Sequence, residues 1–302
     1  AQFAMGSTSL AQDLALAIYQ EAIRAGAHVL IMGDLPGSQE VFLRHASDAQ
    51  LDHVDPVAKF AVETFDAFLE ILAPYNTREL SGSDPARQGR ARRARFAVFQ
   101  TMAERTARGE FTWCLTLYPT HALAQEADMS LGDYQDFVYA ACLVDQPDPV
   151  AAWRQVGERQ SKLVDWLAGK DQMVIQGSNV DLRLSIQGRA FANCDGKRNF
   201  PDGEIFTGPV EGSVNGWVRF SYPGIYSGRE VEDIELWFEN GKVVREKAAK
   251  GQDLLTALLD TDAGSRYLGE LGIGTNYGIQ RFTKNMLFDE KMGGTIHLAV
   301  GR

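Results

Sequence analysis

Two glutamates and a histidine carry the chemistry this sequence can do. The stretch Gly188 to Pro209, GRAFANCDGKRNFPDGEIFTGP, spends glycine, proline and charge where a chain would ordinarily continue a strand. Pro201, Gly203 and Gly208 call for a turned backbone that approaches its neighbours closely. Glu204 stands in that turn, directly before Ile205 and Phe206, and is expected half-buried. A carboxylate drawn out of water needs a cation or hydrogen bonds in compensation. Glu270 lies between glycine turns in LGELGIGTN, and His297 sits in an apolar alternating run in DEKMGGTIHLAVG. Carboxylates suit hard cations and imidazole suits borderline ones, so this donor set points to Zn, Co or Mn rather than Ca. Taken singly, each residue has a plainer reading: a loop acid for either glutamate, a satisfied core histidine for His297.

The elements that must position these groups fall into two patterns. Ala1 to Met5 reads as the end of a strand. Leu10, Leu14, Ile18 and Ala22 form one helical stripe ending at Gly26, and Ala27 to Met32 reads as a buried strand. Asp55-Pro56, Asp84-Pro85 and Asp148-Pro149 each open a helix, with proline at the first helical position. The second of these carries Arg87, Arg90, Arg92, Arg93 and Arg95 as a solvated face and runs to Gly109. Phe111 to Leu117 reads as a strand, and Ser130 with Asp133 resembles a capping box. Strands alternating with helices give an N-terminal layered α/β domain with a largely parallel sheet, residues 1–169. From residue 170 to 302 short alternating runs dominate: Met173 to Gln176, Leu182 to Ile186, Val214 to Phe220 and Ile234 to Phe238. Asn240-Gly241 marks a hairpin, and one helix is expected near Gln252 to Leu259. This second half is a β-rich α+β domain holding all three candidate ligands.

The 302 residues carry a formal charge of −10, which argues against a nucleic-acid or anionic-membrane partner. No apolar run approaches the roughly 20 residues of a membrane helix. Cys114, Cys142 and Cys194 match no zinc spacing and read as buried thiols in a reducing, cytoplasmic setting. His28, His45 and His53 are expected at the surface and His121 at a helix start. Gly269, Gly272 and Gly274 do not fit a phosphate loop.

GAHVLI, the run THALAQEADMSLGDYQDFVYAACLVDQPDPVAAW, NFPDGEIFTGP, LGELGIGTN and GGTIHLAVG together resemble the aminopeptidase T / aminopeptidase S (PepS) family of metallo-aminopeptidases over essentially the whole chain. The resemblance implies two divalent metal ions that hydrolyse a peptide substrate with a free N-terminus, and a homodimer. Glu204, Glu270 and His297 fall on family metal-ligand positions, and Glu204 or Glu270 is the expected proton carrier. The family's Tyr after the histidine and its later His-Trp-Asp lie past Arg302, and the front also reads as short, so the chain is expected to be trimmed at both ends. Two rivals follow from the same resemblance. One is a mononuclear iron ring-cleaving dioxygenase, which wants two His and one carboxylate. The other is an inactive truncated form.

Overall fold

The computed structural model describes residues 1–226 and 228–301. They form two compact units, 1–135 with 197–200, and 136–196 with 201–301. The sequence pattern changes at 170, whereas the units divide between Gln135 and Asp136. The helix Pro149–Leu167 goes with the second unit because Leu163, Val164 and Leu167 pack on its apolar core.

The first unit is built on a five-stranded sheet whose strands all run parallel. Their order is His28–Asp34, Gln2–Thr8, Ala67–Leu72, Thr112–Leu117, Asn199–Phe200. Met5, Leu69 and Ile71 from one face meet Leu14 and Ile18 of the helix Gln12–Arg24, which explains the stripe seen in the sequence. Leu10 at its start is 43% exposed. The strand expected to be buried at 27–32 is instead an edge strand, with Leu30 38% and Ile31 53% exposed. An apolar run reports strand propensity, while its place in the sheet depends on partners far along the chain.

The three Asp-Pro helix starts form for one shared reason. Asp55, Asp84 and Asp148 each accept a hydrogen bond from a backbone N–H of the first turn, from Val57, Ala86 and Ala151 respectively. The second of these helices does not run unbroken to Gly109; it divides at Arg95 into Pro85–Ala94 and Phe96–Ala107. Its arginines are also more than a solvated face. Arg87 donates to the carbonyls of Leu43 and Ala46, and Arg90 holds Asp52 at 2.6 Å.

In the second unit an antiparallel sheet runs in the order Lys242–Lys247, Glu235–Glu239, Asn215–Arg219, Val180–Ser185, Gln172–Gly177. Asn240 and Gly241 have φ of 50° and 82°, the pair of left-handed residues a tight hairpin turn requires. The expected helix is present as Gln252–Leu259, burying Leu255 and Leu259. A second, four-stranded sheet, ordered Ile296–Val300, Leu268–Gly274, Glu204–Thr207, Ala192–Cys194, carries the candidate ligands. Both sheets share one core, in which Leu182, Ile205, Val214, Leu259 and Leu271 are completely buried. Among the described residues no helix is long and apolar enough to cross a membrane.

Candidate metal centre

Strand register brings the three candidates together. Gly272 pairs with His297 on one side and Phe206 on the other, while Gly274 pairs with Glu204. Side chains alternate along a strand, so Glu204, Glu270 and His297 leave the same face of the sheet. His297 Nε2 lies 3.1 Å from Glu204 Oε2 and 3.3 Å from Glu270 Oε1. Gly272 is what lets the imidazole lie there, because a Cβ at that position would stand 2.0 Å from His297 Cε1. Gly272 is therefore a packing requirement of the histidine.

Glu204 is buried outright, at 5% exposure, rather than half-buried as the turn suggested. The turn before it includes Gly203 at φ 113°. Its backbone is pinned from the long helix by Gln160, itself 2% exposed. Gln160 Nε2 donates to the carbonyls of Glu204 at 2.9 Å and Cys194 at 3.0 Å, and to Asn193 Oδ1 at 2.7 Å. Asn276 Nδ2 ties Asp202 O to Ala141 O, each at 2.9 Å.

These side chains fit a divalent cation. Glu204 Oε2 is buried and receives no well-directed hydrogen bond despite its closeness to His297. Oxygen atoms of Glu204 and Glu290 and a ring nitrogen of His297 all lie within 4.8 Å of one another. Oxygen and imidazole donors are those that Zn, Co and Mn accept. Nδ1 of His297 is buried without a partner, so the tautomer that Nε2 ligation requires is not braced from behind by an acceptor.

A sequence model of the thermophilic metalloprotease (M29) family matches residues 2–302. The chain belongs to that family. It is 32% identical over 257 residues to Aminopeptidase 2 of Geobacillus stearothermophilus, an alignment covering 78% of this chain and 62% of that protein. With Aminopeptidase T of Thermus thermophilus the identity is 27%, over 97% of this chain and 77% of the relative. The solved structure of wild-type AmpT from Thermus thermophilus superposes with a TM-score of 0.84 at 24% identity, covering 100% of this chain and 80% of that one, and establishes the fold.

In this M29 chain the sequence reading missed Lys291, Glu290 and Asp202 around the centre. Lys291 is 1% exposed, and its Nζ lies 3.1 Å from Glu204 Oε1 and 3.4 Å from Glu290 Oε2. Burial works to lower the lysine pKa, but the charges of Glu204, Glu290 and Asp202 win and raise it. For Glu204 burial pushes upward, and His297 with Lys291 overcomes it, holding the carboxyl below its usual range. His297 is likewise opposed by burial and is raised to about 9 by Glu204 and Glu270. Asp202 is pushed up to about 7, chiefly by burial, with Lys291 pulling the other way. The one available signal was the lysine in DEKMGG, between an acid and an apolar turn.

The other histidines lie where the sequence placed them. His28, His45 and His53 are exposed, and His121 opens the helix His121–Glu126 beside its cap Thr120. Of the three cysteines expected buried, Cys142 is, whereas Cys114 and Cys194 are only partly so.

Proposed function

We propose that the chain is that of a metal-dependent aminopeptidase that releases N-terminal residues from peptides by two-metal hydrolysis. The meeting of two carboxylates at one imidazole, at 3.1 and 3.3 Å, carries this reading. Membership of a metalloprotease family and the aminopeptidase names of its relatives support it. Glu204, Glu270 and His297 are the proposed ligands, with Zn, Co or Mn as the ions. Bound ions supply Lewis acidity and a water whose pKa falls from 15.7 toward about 7.

The residues divide the remaining work by their accessibility. Glu204, its side chain 6% exposed and its Oε1 held by Lys291, is a fixed ligand with little freedom to carry protons. Glu270 is 33% exposed, so it can reach both water and a departing amine, and we assign it the proton transfer. The surrounding carboxylates accept hydrogen bonds from the substrate's α-amine and so favour a free N-terminus. A homodimer in the cytoplasm belongs to the same proposal, on the strength of the family resemblance.

The test compares a leucyl peptide with its N-acetyl twin, using full-length, metal-loaded protein. Loss of one charge-assisted contact corresponds to about 1.5–3 kcal/mol, so acetylation should slow release by about tenfold to over a hundredfold. Comparable cleavage of the two, or cuts inside the peptide first, overturns the aminopeptidase reading.

A further inference from the structure

A second group of donors includes Glu204 but not the imidazole. Cys194 Sγ, a carboxylate oxygen of Asp202 and one of Glu204 are all within 4.8 Å of one another. The register pairs Cys194 directly with Glu204, so their side chains leave the same face of adjacent strands. Asp202 approaches from the turn just before Glu204. Its position is fixed by the Asn276 bond to its carbonyl at 2.9 Å.

Asp202 makes this more than a cysteine near two acids. The residue is 1% exposed, and its Oδ1 is buried with no hydrogen-bond partner. Gly196 N reaches Oδ2, at 3.4 Å, and leaves Oδ1 unanswered. A buried carboxylate oxygen without a donor is unfavourable, and a coordinated cation satisfies it as well as a hydrogen bond does.

We propose that Cys194, Asp202 and Glu204 form an accessory site for a thiophilic divalent cation such as Zn²⁺ or Cd²⁺. One sulfur with two carboxylate oxygens prefers these ions to Mn²⁺ or Mg²⁺, which take oxygen donors. The separations suit ligand bonds of about 2.3 Å to sulfur and about 2.0–2.2 Å to oxygen after small side-chain rotations. As the metal–sulfur bond forms, the Cys194 S–H bond breaks and its proton leaves to solvent. Glu204 turns Oε2 to His297 and Oε1 to Lys291. Lys291, 3.1 Å from Glu204 Oε1, answers the same negative charge, so cation and ammonium compete there. A thiophilic ion in excess then engages Glu204 from the thiol side. The site shares Glu204 with the proposed centre, and to that extent rests on that reading.

Cadmium tests it, because a Cd²⁺–thiolate bond has its own ultraviolet charge-transfer absorption. The reduced full-length protein should develop this band on titration, saturating at one Cd²⁺ per chain. Cys114→Ser and Cys142→Ser should keep the band. Both Cys194→Ser and Cys194→Ala should lose it while keeping the wild-type circular dichroism. No band in the wild type, or a band that survives in either folded Cys194 variant, overturns the proposal. Manganese binding, followed by calorimetry, reports the other centre separately. His297→Ala should abolish manganese binding and keep the cadmium band. Manganese retained in that variant would count against the metal-centre reading and leave the thiol site standing.

Discussion

Replacing Lys291 by Met removes the only buried ammonium against Glu204 among the described contacts and nearly preserves side-chain volume. Lys291 and Glu204 have side chains 1% and 6% exposed, so their pairing at 3.1 Å is made almost out of water. Breaking a buried pair by deleting one partner typically costs about 3–5 kcal/mol, because the remaining charge is stranded. Glu204 is not wholly stranded, since His297 Nε2 stays 3.1 Å away, while Glu290 at 38% exposure can turn to water. The expected loss for the metal-free protein therefore falls at or somewhat below the lower end of that range, about 2–4 kcal/mol. Adding Glu204→Gln removes the stranded charge, so the double variant should be more stable than the sum of the single losses implies, with a coupling of about 1–3 kcal/mol. Urea unfolding with chelator present, followed by circular dichroism, measures all four corners of the cycle. A Lys291→Met loss under about 1 kcal/mol, or strict additivity, would show that the ammonium is not what holds the carboxylate.

Three further outcomes follow from the same geometry. Gly272→Ala places a methyl where His297 Cε1 would be 2.0 Å away, so the ring must leave its place; manganese affinity should fall at least about tenfold, equivalent to about 1.4 kcal/mol, and unchanged affinity would contradict the packing. Gln160→Met withdraws the donor shared by three acceptors, one of them the buried Glu204 carbonyl, and a stability loss of about 2–4 kcal/mol is expected in thermal or urea melts. In metal-free protein the His297 pKa is raised from 6.5 to about 9, so its contribution to stability is complete below pH 6.5 and disappears as pH rises through about 9. Melting curves between pH 6 and pH 10 should show that decline in the wild type and a flatter profile in His297→Gln; identical profiles would rule it out.

What the sequence could show depended on the range of the forces involved. The Asp-Pro helix starts, the Asn240-Gly241 hairpin and the helix Gln252–Leu259 are set by groups a few residues apart, and these appear where their local chemistry put them. The edge position of His28–Asp34 and the division at Arg95 depend on packing against distant segments, which no local pattern contains. The centre is intermediate. Glu204, Glu270 and His297 could be singled out by type and setting, but their shared face follows from the register of three strands, a pairing that no single segment encodes.

Lys291 and Gln160 stayed hidden for a different reason. Neither a lysine beside an acid nor a glutamine in a long helix is unusual, and each acquires meaning only once the fold buries it against Glu204. Their two roles are complementary. Gln160 uses neutral hydrogen bonds to fix where the Glu204 backbone lies, whereas Lys291, together with the larger effect of His297, keeps its carboxyl ionised at that place against burial. A cation-binding carboxylate in a core needs both conditions, since a fixed but protonated acid is a weak ligand and an ionised but mobile one gives up entropy on binding. The fold therefore has Glu204 both positioned and charged before any ion arrives.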